Sequence, residues 1–114
     1  MQAYYLEIVT DDVAAVCDVY AAAHQVRFSD PVSVLGDART AQRPDGGLVG
    51  IRGRMRPDEA LCVRPYWLVA DLEAAVAAAV EAGAELAHPP LELTGYGSFA
   101  IYIAGGVDHG LWQR

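Results

Sequence analysis

Apolar positions along this chain follow two periods, and the change from one to the other marks out its elements. Tyr66–Ala70 is a short apolar run carrying Tyr, Trp and Val, the composition of a buried strand. Asp71 follows, with a carboxylate to accept from the free N–H groups of a first helical turn. Leu72, Ala75, Val76, Ala79 and Val80 then recur at helical spacing, with Glu73 and Glu81 elsewhere on the helix. Gly83 stands where a left-handed residue ends such a helix. Earlier in the chain the same order is written once already. Tyr4–Thr10 predicts a strand with Glu7 in its middle, Thr10, Asp11 and Asp12 offer caps, and Val13, Val16, Cys17, Tyr20 and Ala21 form the helical stripe.

Asp71 follows Asp12 by 59 residues (71 − 12), and the later punctuation keeps that offset. Pro31 falls on Pro90, Gly36 on Gly95, Gly46-Gly47 on Gly105-Gly106, and His24 on Gly83, so both helices are expected to stop together. Matched Gly and Pro weigh more than matched Ala, because each marks a turn with a specific backbone demand. After each Pro the pattern predicts a short strand (Val32–Leu35, Leu91–Thr94), a Gly, and a second strand (Ala38–Arg43, Gly97–Ile103). A Gly-Gly turn then leads into a last strand, Leu48–Met55 or Val107–Arg114. The unit is βαβββ written twice: module one is 1–55, the linker 56–62 and module two 63–114. A repeat of this length that occurs only twice points to duplication and not to a solenoid.

The totals narrow the partners. One domain of 114 residues, 54% apolar, can bury a core, and a net charge of −7 opposes bulk attraction to nucleic acid or anionic membrane. No apolar run is long enough to span a bilayer, and the first residues lack the basic and apolar regions of a signal peptide, so the expected compartment is the cytoplasm. Cys17 on an apolar helical face and Cys62 just before a strand are expected as small buried hydrophobes and not as a disulfide.

TDDVAAV in one half, VADLEAAVAAAVEAGAEL in the other and the closing GSFAIYIAGGVDHGLWQ resemble the vicinal oxygen chelate superfamily, which includes glyoxalase I, bleomycin-resistance proteins and extradiol dioxygenases. The resemblance covers nearly the whole chain. It implies an α+β fold of two tandem βαβββ modules whose curled mixed sheets enclose a cavity, and it implies homodimers. In its metal-dependent members, His and Glu on the first and last strands of each half hold a divalent ion. Carried onto this chain, those positions are Tyr5 and Arg64, then Ile51 or Arg52, and Leu111; slips of one or two residues add Leu6, Pro65 and Glu7. That is no ligand set, and no metal or other cofactor is expected. His24 reads as a helix-end residue, His88 as a turn residue beside Pro89, and His109 as a residue just ahead of the last strand.

Strand alternation then suggests what lines the cavity. Tyr5, Glu7, Arg64 and Tyr66 share the inward faces, with Leu6, Ile8, Trp67 and Val69 on the helices, and Leu111 and Gln113 are expected inward with Trp112 outward. Tyr96, among glycines in LTGYGSF, is the candidate lid aromatic by resemblance. Glu7 and Arg64 suit either ligand contact or a buried ion pair with each other, and a desolvated Glu7 suits a general base. Arg52, Arg54 and Arg56, two apart, read as an anion stripe or a solvated edge. The leading reading is a metal-independent protein that binds a small organic molecule, with Tyr5, Glu7, Arg64, Tyr66, Tyr96, Leu111 and Gln113 at the site. An enzyme of the same fold (lyase, isomerase or dioxygenase, through a metal or Glu7) and a non-catalytic dimerisation module stand as alternatives.

Overall fold

Asp12 and Asp71 open the two helices as the pattern predicts. Asp12 Oδ1 accepts from the Ala15 N–H at 3.2 Å and Asp71 Oδ1 from the Ala74 N–H at 3.0 Å, each satisfying a donor that the helix itself leaves open. These contacts come from a computed structural model that describes residues Met1–Arg114. The helices are α1, Val13–His24, and α2, Leu72–Glu81. Seven strands accompany them: β1 Ala3–Val9, β2 Arg39–Gln42, β3 Leu48–Arg52, β4 Cys62–Leu68, β5 Glu85–Leu93, β6 Gly97–Ala104 and β7 Val107–Gln113. The result is an α+β fold with mixed strand pairing. The chain divides into two compact units, Tyr5–Val63 and, joined, Met1–Tyr4 with Arg64–Arg114.

In the first unit the strands run β2-β3-β1, with β1 and β3 parallel and β2 and β3 antiparallel. The apolar stripe of α1 covers one face of this sheet: Val13, Val16, Cys17 and Tyr20 pack on Leu6, Ile8, Ala41, Val49 and Ile51. Cys17 and Cys62 are not joined in a disulfide, and Cys17 is fully buried and raised in pKa by that burial.

In the second unit the order is β4-β7-β6-β5, with β4 and β7 parallel and the other pairs antiparallel. Leu72, Ala75 and Val76 of α2 pack on Trp67, Val69, Ala100, Tyr102 and Leu111.

The duplication is less regular than the punctuation implies. The second unit carries the full βαβββ order, but the strand expected at Val32–Leu35 is a single 3-10 turn, Ser33–Leu35. Gly36 and Asp37 both take left-handed φ (68° and 62°), which folds the chain back so that the Val32 carbonyl accepts from Leu35 and Asp37 at 3.0 Å each. The matching stretch of the second unit stays extended through Pro89-Pro90 with two register shifts, which an edge strand tolerates. His24 ends α1, but α2 stops earlier, at Glu81, and the left-handed positions are Gln25 and Gly83. Residues 56–62, expected as linker, hold the buried Glu59 and the first residue of β4.

A one-residue drift between the halves decides which side chains share a face. Glu7 pairs with Gly50 and Tyr66 with Gly110; the first-strand residues are 59 apart, the last-strand residues 60. Leu111 and Gln113 therefore lie on the α2 side of their sheet and Trp112 on the opposite side, which reverses the facing expected from a constant offset. The Gln113 Oε1 accepts from the Leu72 N–H at 2.7 Å, so this side chain closes the start of α2. Replacing Gln113 by Ala strands a donor at a buried helix start, and chemical denaturation should show a loss of about 1–3 kcal/mol. An unchanged midpoint would mean that water serves that donor equally well.

Candidate functional site

Opposite α1, the first unit buries three charges. Arg52 donates from Nε to Glu7 Oε2 at 2.8 Å, and from its two terminal nitrogens to Glu59 Oε1 and Oε2 at 2.9 and 2.8 Å. A fourth bond reaches the Gly53 carbonyl at 3.1 Å. Glu7, Arg52 and Glu59 are 6%, 4% and 8% exposed, so the charges are desolvated and held by geometry, with a bidentate fork on one side. Hydrogen bonds from Arg52, assisted by the Met55 N–H, pull Glu59 down to about 2. Burial opposes the charge on Arg52, but its bonds to Glu59 and the charge and bond of Glu7 outweigh it and raise its pKa. Tyr5 shares this face, and its ring lies across β3 where only a glycine fits: a Cβ on Gly50 would meet the Tyr5 hydroxyl.

The triad gives a pH dependence with a defined sign. Glu59 titrates lower folded (about 2) than at its ordinary value (4.5), so its stabilisation is present above that value and lost as pH falls through the folded one. Acid titration of the melting temperature should show a fall between those limits that is clearly smaller in Glu59→Gln. Equal acid sensitivity in both proteins would contradict the assignment.

Opposite α2, the second unit carries an aromatic strip. Tyr66 meets Trp112 edge-on at 5.7 Å between centroids and Phe99 at 5.9 Å, Phe99 stacks on His88 at 4.8 Å, and Tyr4 meets Trp112 at 5.4 Å. Trp112 donates from Nε1 to the Tyr96 carbonyl at 2.9 Å. Tyr66 and Trp112 are buried, while Phe99, His88 and Ile101 are half-exposed. At one end Arg64 sits 6.0 Å from the Tyr66 ring and pairs with Asp108 at 3.2 Å. Gly110 makes room for Tyr66 as Gly50 does for Tyr5: a Cβ there would lie 2.5 Å from the ring.

Each residue singled out from sequence has a place within its own unit. Tyr5 and Glu7 share a face of the first unit, Arg64 and Tyr66 a face of the second. Leu111 and Gln113 serve the α2 packing, and Tyr96 holds Trp112 through its backbone. Within its own unit Glu7 bonds Arg52, and within its own unit Arg64 pairs with Asp108. Arg52, Arg54 and Arg56 do not act as one stripe: Arg52 is buried, while Arg54, forked onto Asp11 at 3.0 Å, and Arg56, paired with Asp58 at 3.0 Å, are exposed. His88 lies in β5 against Phe99, and His109 lies in β7, stacked on Tyr102 at 5.1 Å. Glu59 was missed. No periodicity marks it, and only its opposite charge, seven residues after Arg52, could have raised it.

No protein-family model matches the sequence, and no curated protein matches it. Solved structures do match. A hypothetical protein from Bacillus halodurans C-125 superposes with a TM-score of 0.77 at 10% identity, over 99% of this chain and 94% of that one. Methylmalonyl-CoA epimerase from Streptomyces coelicolor, in complex with 2-nitronate-propionyl-CoA, gives 0.72 at 18% identity, over 100% and 97%. The chain has the vicinal oxygen chelate fold. At such identities the likeness speaks for the fold alone, and a NAD-dependent benzaldehyde dehydrogenase from Legionella pneumophila superposes as well (TM-score 0.66, 9% identity, 96% of each chain).

The vicinal oxygen chelate fold implies a divalent ion, and the residues here can be tested for it. The positions facing away from the helices on first and last strands are Tyr5, Glu7, Gly50 and Arg52 in one unit and Arg64, Tyr66, Gly110 and Trp112 in the other. Glu7 is the one carboxylate among them, and a guanidinium already sits on it. No group of three or more His, Cys, Asp or Glu side chains converges. These residues do not fit a divalent ion. No helix is long and apolar enough to cross a membrane.

Proposed function

We propose that this protein binds a small organic molecule without a metal ion, on the face of the second unit opposite α2. One observation carries the reading: the continuous strip from Arg64 through Tyr66 and Phe99 to His88, in which half-exposed rings rest on buried Tyr66 and Trp112. Such a surface, apolar and aromatic with a few polar groups at its ends, suits a flat organic ligand with a polar substituent near Arg64. Tyr96, whose carbonyl holds Trp112, belongs to the same site.

The metal-free part of the proposal rests on Arg52, which supplies to Glu7 the positive charge an ion would otherwise bring. The same contact favours binding over proton transfer by Glu7, since protonating it would remove a counter-charge from a buried guanidinium. Homodimerisation is carried in the same proposal, and sedimentation velocity reads it as twice the chain mass or once.

The chain has two tryptophans, so Trp67→Phe leaves Trp112 as sole reporter. A fluorescence screen of that variant against aromatic metabolites should give a saturable change for some members, weakened about tenfold or more by Phe99→Ala. A library that yields no saturable change, or one that Phe99→Ala leaves untouched, would overturn the proposal.

A further inference from the structure

A separate cavity lies within the first unit alone, on the α1 side of its sheet, and none of the chemistry above uses it. It is a half-open pocket of about 490 Å³, within the range of small-molecule sites. Leu6 and Val49 of the sheet form its floor, the Tyr20 ring and Val26 its walls, and His24, Arg43 and Asp45 its rim. The local sequence explains why it is there. α1 ends at His24 and the chain turns through left-handed Gln25 (φ 54°), so the helix covers the sheet no further than that end. Val26 then returns to the core while Arg43–Asp45 come up from the β2–β3 turn.

The rim has a chemical bias. Asp45 is already engaged, accepting from Arg43 at 3.0 Å and from the Gly47 N–H at 2.9 Å, and these bonds lower its pKa. Arg43 is braced by the Leu48 carbonyl at 2.8 Å as well, so its guanidinium is fixed in place. His24 is exposed, with its ring 5.3 Å from that of Tyr20. Two basic groups therefore meet one committed carboxylate at the mouth of an apolar chamber, on a chain whose overall charge is −7.

We infer that this cavity is a binding site for an amphipathic monocarboxylate, its aromatic or branched-aliphatic body on Leu6, Val26 and Val49 and its carboxylate at His24 and Arg43. It is independent of the aromatic strip: it belongs to the other unit, on the helix side of the sheet, and each site can fail without the other.

Three probes with one ring system and different heads test it: 2-naphthoate, 2-naphthalenemethanol and 2-naphthylmethylamine, titrated into the full chain with methyl NMR shifts as readout. The expected result is saturable movement of the Leu6, Val26 and Val49 methyls by naphthoate, about tenfold tighter than by the alcohol or the amine. Val26→Trp, which fills the chamber, should abolish it, and Phe99→Ala should not. His24→Gln, at an exposed position, serves if the Trp variant misfolds; it should weaken naphthoate about three- to tenfold and leave the alcohol unchanged. The inference is overturned by absence of saturation up to about 5 mM, by equal affinity for all three heads, or by movement confined to methyls of the second unit.

Discussion

Arg52→Met should lower stability by about 3–5 kcal/mol, the range seen when one partner of a buried ion pair is removed. The loss comes less from the four bonds than from what remains: Glu7 and Glu59, both nearly dry, without the guanidinium that lay between them. The melting temperature should fall by roughly 10–20 °C at neutral pH, given the size of the chain. A triple variant, Glu7→Gln and Glu59→Gln on the Arg52→Met background, should recover much of that loss, because it removes the stranded charges as well. Recovery separates a charge effect from a packing effect. A single variant that melts within a degree or two of the parent, or a triple variant no better than the single, would contradict the role given to the triad.

Trp112→Ala should be comparably severe, about 3–5 kcal/mol for emptying the space of a fully buried aromatic ring. Trp112 is 2% exposed and touches the rings of Tyr4, Tyr66 and Phe99, so its removal unbacks the whole strip as well as opening a cavity. Trp112→Phe retains most of the apolar body and loses the bond to the Tyr96 carbonyl, for an expected cost nearer 1–2 kcal/mol. Denaturant midpoints of the two variants check the order. If Phe costs as much as Ala, the indole N–H, and not ring packing, is what holds this strand end.

What the sequence revealed follows from how local each signal is. The caps at Asp12 and Asp71, the two helical stripes and the facing of Leu6, Ile8, Trp67 and Val69 need only neighbours in the chain, and each was readable. Facing on β7 depended on a residue count through two turns, and one extra residue between the halves sent Leu111 and Gln113 to the α2 side. Partner choice was less legible again. Charge alone made Glu7 and Arg64 complementary, and it did not single out the partners that the fold gives each within its unit, Arg52 on a parallel neighbour for Glu7 and Asp108 on another for Arg64. Nothing local distinguishes Arg52 from Arg54 and Arg56; only the reach of the 53–61 loop, which brings Glu59 back to Arg52, buries one and leaves the others solvated. The missing strand at Val32–Leu35 has the same cause. Pro and Gly mark a turn in both halves, but the second left-handed residue, Asp37, is not one that punctuation announces.

The proposal of metal-free binding rests on Arg52, whose guanidinium already occupies Glu7. The most direct measurement is elemental analysis of the purified chain, paired with its melting temperature in EDTA and in added Mn²⁺, Co²⁺, Ni²⁺ or Zn²⁺. The expected result is far less than one ion per chain and a melting temperature that neither chelator nor metal moves. A stoichiometric divalent ion, with a melting temperature that falls on chelation and returns when the ion is restored, would contradict it.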